Sequence, residues 1–199
     1  MKFDPRIKVQ HHETVYPPSE DTMLLLEAVE VRLGERVLEI GTGTGIIALH
    51  ASRIGNVVAT DVNPFAVSLA RENARSNGLC MSVVRLDMFE GLKGEFGAVI
   101  FNPPYLREVV KNDWRQRAWQ GGADGGILIA RFLDGLSSHL KPDGRAFILV
   151  PTDLHDVLES AKERFAVREL KSMRLFFEQL AVLELRLPEP CNGKYRGEG

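Results

Sequence analysis

The segment Asn102-Pro103-Pro104-Tyr105 brings together groups that can recognise a reactive nitrogen, and it directly follows a short apolar run. Asn102 offers a side-chain amide oxygen and Pro103 a main-chain carbonyl oxygen, and both accept hydrogen bonds. The prolines restrict the backbone to few conformations, and the ring of Tyr105 can pack on a planar group. The segment is therefore suited to holding the N–H groups of a planar nitrogen. The structural alternative is a stiffened exit from a strand with a buried tyrosine.

A second set of residues, from Glu39 to Gly45, reads ExGxGxG between an apolar run and a helical segment. Gly41 and Gly43 allow a tight turn and let a ligand approach bare backbone. The dinucleotide fingerprint needs a glycine where Ile46 stands, and no lysine follows as it does in phosphate-binding loops. The spacing therefore disfavours NAD, FAD and nucleoside triphosphates. Taken alone, the glycines are also compatible with an ordinary strand-to-helix turn.

Acidic residues follow the next two apolar runs. Asp61 lies twenty residues after the first glycine of the loop, where a carboxylate can accept both hydroxyl groups of a ribose. Asp87 is placed to accept the exocyclic amine of an adenine, and Met88 offers an apolar contact. Each acid alone is also explained as a helix cap or an exposed turn. In the order Glu39, Asp61, Asp87 they indicate a nucleoside-binding edge, which includes Val62 beside Asp61.

These residues need a scaffold that places them at one edge, and the chain alternates short β-branched runs with helical segments. That alternation predicts βαβ units and a mostly parallel sheet covered by helices on both faces, with ligands bound at the carboxyl ends of the strands. The five predicted strands are Arg36–Ile40, Asn56–Thr60, Met81–Leu86, Ala98–Phe101 and Arg145–Val150. Two longer runs, Val167–Phe176 and Leu180–Leu187, predict an antiparallel hairpin at the edge of the sheet.

Residues that favour capping and turns mark the predicted ends of the helices. Asn63 and the proline after it supply an N-cap and a first-turn residue, and Asn77-Gly78 ends that helix. Apolar residues from Ile129 to Leu140 recur at helical spacing before a predicted turn at 141–144. Thr152 is predicted to cap a further helix.

The composition is that of one ordinary folded domain: 199 residues, 44% hydrophobic and 26% charged. Lys plus Arg number 25 and Asp plus Glu 27, and the net charge of −2 disfavours a protein that coats nucleic acid. Cys80 and Cys191 lack a CxxC partner, so we expect a reducing compartment and no structural zinc. No apolar run approaches the roughly 18 residues of a membrane span. We therefore expect a cytoplasmic protein that binds no membrane.

We assign no catalytic or metal-binding role to the histidines or to the chain ends. His11 and His12 lack a third ligand at useful spacing, so we expect no metal site. His50 is expected to be solvated or to cap a helix. We expect the first dozen residues and the end after Pro190 to be loosely held.

Together the motifs resemble those of class I S-adenosylmethionine-dependent methyltransferases: ExGxGxG, an acid ending the second strand and an aspartate after the third. The segment from Asn102 resembles the [ND]PP[YF] motif of methyltransferases that modify planar nitrogens. The resemblance implies S-adenosylmethionine as cofactor, with S-adenosylhomocysteine as product. It also implies an α/β Rossmann-like fold with a seven-stranded sheet in the order 3-2-1-4-5-7-6. Asn102, Pro103 and Tyr105 are then catalytic, Pro104 joins them in binding substrate, and Asn102 also contacts the cofactor.

Two further stretches narrow the resemblance to the HemK-type glutamine methyltransferases. The stretch from Tyr16 to Thr22 is similar to YxPxxDT, which closes over the methionine end of the cofactor in that family, so both residues are implied cofactor contacts. The stretch from Trp119 to Gly126 resembles the WxGGxxG stretch that follows NPPY. Because the first strand already begins near Arg36, we expect the short archaeal and eukaryotic branch, without the helical domain of the bacterial enzymes.

That branch implies N5-methylation of the glutamine in the Gly-Gly-Gln loop of a class-1 translation release factor, often with a small zinc-binding activator as partner. The alternative is methylation of an adenine or guanine amine in DNA or RNA, although stable nucleic-acid binding is not expected. A non-enzymatic cofactor-binding scaffold is a third hypothesis. We predict one methyltransferase domain over 1–199: an arm (1–14), a cofactor-closing segment and helix (15–34), a Rossmann-like core (35–188) and a loose tail (189–199).

Overall fold

A computed structural model of the chain describes residues 1–104, 126–175 and 178–189. The strands are β1 (Arg36–Ile40), β2 (Asn56–Asp61), β3 (Ser82–Arg85), β4 (Phe96–Phe101), β5 (Leu140–Pro151), β6 (Ala166–Leu175) and β7 (Glu178–Arg186). The helices are α1 (Glu20–Ala28), α2 (Ile46–Ser52), α3 (Pro64–Ser76), α4 (Gly126–Leu136) and α5 (His155–Arg164). Within the described ranges no helix has the length and apolar character that crossing a membrane requires.

The strands form one sheet in the order β3-β2-β1-β4-β5-β7-β6. Strands β1 to β5 pair in parallel, and β7 lies antiparallel between β5 and β6. The predicted Rossmann-like fold with an antiparallel edge hairpin is therefore confirmed. The connection after β1 leads to β2 on one side, whereas the connection after β4 leads to β5 on the other side, which opens a crevice at the carboxyl ends of β1 and β4.

Helices cover both faces of the sheet because alternate side chains of each central strand point to opposite faces. Val37 of β1 packs with residues of α1, α2 and α3, whereas Leu38 and Ile40 pack with residues of α4 and α5. Phe101 at the end of β4 stacks on Phe132 of α4, with ring centroids 5.0 Å apart. This packing fixes the carboxyl ends of the strands, from which the loops of the crevice start.

Local capping sets the ends of α3 as the sequence predicts. Asn63 is the N-cap, and its Oδ1 accepts the N–H of Phe65 at 3.0 Å, while Pro64 occupies the first helical position. Asn77 is the C-cap, and Gly78 follows with a φ of +64°. These short-range hydrogen bonds need no tertiary partner, which is why the pattern of residues was sufficient to predict them.

Two predicted features at the ends of β5 are wrong, and in both cases strand pairing outweighs the local pattern. Leu140, predicted to end a helix, pairs with Phe96 of β4, and the predicted turn after it lies within β5 beside a register shift. Thr152, predicted as a helix cap, donates its N–H to the carbonyl of Gln179 at 2.9 Å and so extends the pairing of β5 with β7. The following helix, α5, has Leu154 as its N-cap.

The first residues of the chain are not loosely held, contrary to the sequence prediction. Ile7 is buried in the core, and the N–H of Gln10 donates to Oδ1 of Asn73 in α3 at 2.8 Å. The N–H of Asp4 donates to Nε2 of His50 at 3.0 Å, so His50 is buried by the arm rather than solvated. Residues 190–199 of the predicted loose tail lie outside the described residues.

Candidate active site

A cavity of about 370 Å³ opens at the carboxyl ends of β1, β2 and β4. Its walls come from the glycine-rich loop, the ends of β2 and β3, the exit of β4 and the segment before α1. The predicted site residues that line it are Tyr16, Thr22, Glu39, Gly41, Gly43, Asp61, Val62, Asp87, Met88, Asn102, Pro103 and Pro104. The fold therefore brings together residues that are spread over much of the chain. Tyr105 and Trp119 lie outside the described residues.

The glycine-rich loop joins β1 to α2 through left-handed backbone that favours glycine. Gly43 has a φ of +55°, and a Cβ added there would meet Cγ1 of Val15 at 3.8 Å and the carbonyl oxygen of Tyr16 at 3.9 Å. Gly45 has a φ of +83°, and an added Cβ would lie 3.1 Å from the Cβ of Ala70 in α3. The loop therefore needs glycine both for its conformation and for its close packing.

Asp61 ends β2 and holds this loop. Its Oδ2 accepts the N–H of Gly43 at 2.9 Å, and its Oδ1 accepts the N–H of Asn63 at 2.8 Å. Burial raises the pKa of Asp61, while the hydrogen bonds from backbone N–H groups act in the opposite direction. A carboxylate offers about four acceptor positions in all, so Asp61 keeps capacity to accept a ligand hydroxyl beside these backbone N–H groups.

Glu39 lies behind the loop and connects it to α2. Its Oε2 accepts the hydroxyl of Thr42 and the N–H of Ala48, the latter at 3.1 Å. Burial, and to a smaller extent the charge of Asp61, raises the pKa of Glu39 to about 8. These hydrogen bonds give Glu39 a part in shaping the loop, in addition to its position in the cavity wall.

Asp87 and Met88 follow β3 and form a separate part of the wall. Oδ2 of Asp87 makes an ion pair with Nη2 of Arg131 in α4 at 3.1 Å, and Arg131 also lies 3.7 Å from Glu90. Met88 has a φ of +51°, which few residues other than glycine adopt. Strain of this kind persists where the surroundings impose it, and it is common beside ligand sites.

The segment before α1 surrounds the buried carboxylate of Asp21, which is 1% exposed. Oδ1 of Asp21 accepts the N–H of Thr22 at 2.6 Å and also hydrogen bonds from the hydroxyls of Ser19, Thr22 and Tyr16. Ser19 is the N-cap of α1. Burial raises the pKa of Tyr16, so its phenol stays protonated and donates at neutral pH.

Asn102 follows β4 and connects the two sides of the cavity. Its Nδ2 donates to Oδ2 of Asp21 at 3.4 Å. Its Oδ1 is buried and has no hydrogen-bond partner within the described part of the chain. An unpaired buried acceptor costs free energy, and in a cavity wall it is placed to receive a donor from a ligand. Pro103 and Pro104 follow Asn102 in the cavity wall, and Pro103 is buried.

Sequence reasoning missed two residues of the site, Asp21 and Arg131. Asp21 belongs to the YxPxxDT stretch but reads equally as an acid in the first turn of a helix, where acids are common. The signal that distinguishes it is burial, which only the structure shows. Arg131 occupies the exposed face of the amphipathic helix α4, and no pattern in the sequence marks it.

The arrangement combines two kinds of recognition. Asp61 and Asp87 offer carboxylate oxygens to hydroxyl and amine donors, and Met88 adds an apolar surface. Asn102 offers an unpaired amide oxygen to an N–H donor. The cavity is thus suited to a nucleoside-like ligand together with a second group that carries a planar nitrogen.

Comparison with known proteins agrees with this chemistry. The methyltransferase small domain family matches residues 7–169 of the chain. A relative from Methanocaldococcus jannaschii, provisionally named a protein N5-glutamine methyltransferase, is 37% identical over 185 residues, which cover 89% of this chain and 94% of the relative. The mouse protein named methyltransferase HEMK2 is 36% identical over 151 residues, covering 68% of this chain and 71% of its own length.

A solved structure is similar over most of the chain. It is the Mtq2–Trm112 complex of E. cuniculi, described as responsible for methylation of the translation termination factor eRF1. The TM-score is 0.72 at 26% sequence identity, and the match covers 88% of this chain and 99% of the other. The chain therefore belongs to the methyltransferase small domain family and is a methyltransferase of the HemK type.

Proposed function

We propose that the protein transfers a methyl group from S-adenosylmethionine to the side-chain nitrogen of a protein glutamine, in the Gly-Gly-Gln loop of a class-1 translation release factor. The observation that carries the proposal is the buried, unpaired Oδ1 of Asn102 in the cavity wall. The relatives named for glutamine or eRF1 methylation support this choice of substrate. We propose that the chain acts as one methyltransferase domain. We also propose a cytoplasmic location, because the release factor that serves as substrate works on the ribosome.

The residues of the cavity fit S-adenosylmethionine. Asp61 keeps acceptor capacity for a ribose hydroxyl, and Asp87 with Met88 forms a polar and an apolar contact for an adenine. The bare backbone of Gly41 and Gly43 lets a ligand approach the loop closely. When bound, this cofactor supplies a methyl group on a cationic sulfur.

The protein's own groups act on the glutamine nitrogen. This nitrogen is a poor nucleophile because its lone pair is delocalised into the amide. Oδ1 of Asn102 accepts one N–H of the amide, and the carbonyl of Pro103 accepts the other. The two acceptors favour a pyramidal nitrogen and hold it in line for transfer. The nitrogen gains the methyl group and loses one proton to solvent, while the electrons of the broken C–S bond stay on sulfur.

A partner protein is part of the proposal. The similar structure from E. cuniculi is a complex with a second protein, Trm112, which supports a partner subunit for this chain as well. The family resemblance implies that this partner is a small zinc-binding activator. Methylation of an adenine or guanine amine in nucleic acid is the alternative function. The net charge of −2 does not favour it, because proteins that bind nucleic acid neutralise its phosphates with an excess of positive charge.

Intact-mass analysis of a release factor incubated with the enzyme and S-adenosylmethionine tests the proposal. We expect a gain of one methyl group. Separate reactions with and without a co-purified activator show whether the chain needs that partner for activity. A release factor in which the glutamine is replaced by alanine is the matched control and gains none. A methyl group on RNA or DNA offered in the same assay, with none on the release factor, would overturn the proposal in favour of the alternative.

A further inference from the structure

Asp21 is the most completely engaged carboxylate in the cavity wall, and the hydrogen bonds divide unequally between its two oxygens. Oδ1 accepts the N–H of Thr22 and three hydroxyls, those of Tyr16, Ser19 and Thr22. Oδ2 accepts Nδ2 of Asn102 at 3.4 Å. A structural helix cap would need only the first set of contacts. The second set reaches a residue 81 positions away, at the exit of β4.

The contact decides which way the amide of Asn102 faces. A side-chain amide has one acceptor and one donor end, and rotation by a half-turn exchanges them. A carboxylate accepts hydrogen bonds only, so Asp21 requires the NH2 end of Asn102, and the Oδ1 end of this cavity-lining residue is left buried without a partner among the described residues. With the amide reversed, the cavity would present a donor, which cannot receive the N–H of a target nitrogen.

We infer that Asp21 is a positioning residue for Asn102, which holds Oδ1 toward the N–H of the nitrogen to be methylated. The inference rests on the proposed function for the identity of that nitrogen. The negative charge of Asp21 also polarises the amide, because donation from Nδ2 to a carboxylate increases the electron density on Oδ1 and strengthens it as an acceptor. The distance of 3.4 Å is long for such a bond, as is usual for catalytic groups before the substrate binds.

The neighbouring acid, Glu20, shows that this role is not simply that of an acid at the start of a helix. Both residues lie in the first turn of α1, where a negative charge interacts favourably with the helix dipole. Glu20 is exposed and does not line the cavity, whereas Asp21 is buried against Asn102. Glu20→Gln is therefore a matched control, with the same change of charge one residue away.

Asp21→Asn reverses the hydrogen bonding without changing the shape of the side chain. The backbone N–H of Thr22 is a fixed donor, so the carbonyl oxygen of the new asparagine faces it, and the new NH2 faces Asn102. Asn102 must then turn its oxygen toward position 21 and its NH2 toward the cavity. We expect the single-turnover rate of methyl transfer to fall about 10- to 100-fold, by analogy with the loss when the group that orients a metal ligand is removed.

The test compares wild type, Asp21→Asn and Glu20→Gln for single-turnover rate, for the dissociation constant of S-adenosylmethionine and for thermal unfolding. We expect only Asp21→Asn to lose rate, with the cofactor affinity changed far less. In an Asn102→Ala background, Asp21→Asn should change the rate less than about twofold, because the residue acts through Asn102. Equal rates for Asp21→Asn and wild type, or full additivity of the two changes, would overturn the inference.

Asn102→Asp tests the same contact from the other partner and leaves α1 unchanged if Asp21→Asn fails to fold. It brings two carboxylates into contact, so we expect a rate at least about tenfold lower, with much of it restored by adding Asp21→Asn. Full activity of Asn102→Asp alone would contradict the inference.

A readout independent of activity is the NMR signal of the Asn102 side-chain amide. The signal is assigned by its loss in Asn102→Ala. We expect it to shift in Asp21→Asn and to stay in place in Glu20→Gln, and an unmoved signal in Asp21→Asn would count against the contact. An inactive wild-type protein on every glutamine substrate would instead refute the proposed function, because this signal is measured without substrate.

Discussion

The backbone N–H of Gly43 donates to Oδ2 of Asp61 across 2.9 Å, so the acid that ends β2 holds the loop that follows β1. The two strands are parallel neighbours, which brings their carboxyl ends to the same edge of the sheet. The positive φ of Gly43 lets its N–H face the carboxylate. One side chain thus both shapes the glycine-rich loop and faces the cavity.

Replacement of Asp61 by alanine should weaken the binding of S-adenosylmethionine by about 1.5–3 kcal/mol, the usual value of hydrogen bonds to a charged group. The loss combines the missing ribose contact with a less ordered loop. Calorimetric titration measures it, and Asp156→Ala, at an exposed aspartate of α5, is the control. An unchanged dissociation constant in a folded variant would show that the ligand does not bind Asp61.

Replacement of Asn102 by alanine should lower the rate of methyl transfer by about 10²- to 10³-fold, as expected when one preorganised group that stabilises the transition state is removed. Cofactor affinity should change far less, because the acceptor acts on the target nitrogen. Single-turnover rates and cofactor titrations on the same preparation separate the two effects. A variant that binds the cofactor poorly yet reacts normally once saturated would reverse the assignment.

The contribution of Glu39 to the stability of the ligand-free protein should fall as the pH rises from about 4.5 to 8. Burial raises the pKa of Glu39 from 4.5 to about 8, so in this range the folded protein holds a proton that the unfolded chain has released. Below and above this range the folded and unfolded states hold the same number of protons on Glu39, so its contribution no longer changes with pH.

Denaturant titrations of wild type and Glu39→Gln at several pH values measure this contribution. A glutamine keeps an acceptor for Thr42 and Ala48 but has no proton to lose, so its stability should depend less on pH. Glu20→Gln, at an exposed position, should keep the wild-type dependence. Identical pH dependence in Glu39→Gln and wild type would show that Glu39 ionises in the folded protein as it does in the unfolded chain.

The glycines before the target glutamine should be required. The glutamine must pass Tyr16 and the prolines after Asn102, so the substrate loop needs little side-chain bulk and a backbone able to adopt positive φ. Replacing either glycine of Gly-Gly-Gln by valine should reduce methylation strongly, and free glutamine should be a poor substrate because it lacks remote binding energy. A peptide series read by mass spectrometry tests this. Equal methylation of Val-Val-Gln and Gly-Gly-Gln would contradict both the steric argument and the choice of substrate.

Patterns of neighbouring residues were sufficient for the parts of the protein that local interactions determine. The caps of α3 at Asn63 and Asn77 are examples, because their hydrogen bonds span only a few residues. The glycine-rich loop and the acids Asp61 and Asp87 were also predictable, since residues that follow parallel strands must meet at the same edge of the sheet. The strand order came from the family resemblance rather than from these patterns.

Contacts between distant segments depended on the path of the chain in three dimensions. Thr152 has the residue type of a helix cap, yet it continues β5 because β7 offers a pairing partner. The amino-terminal arm is ordered because Asn73 of α3 receives the N–H of Gln10, 63 residues away. The contact of Asp21 with Asn102 is of the same kind. No local pattern encodes such a hydrogen bond, because its donor and acceptor become neighbours only after the sheet and its covering helices have packed.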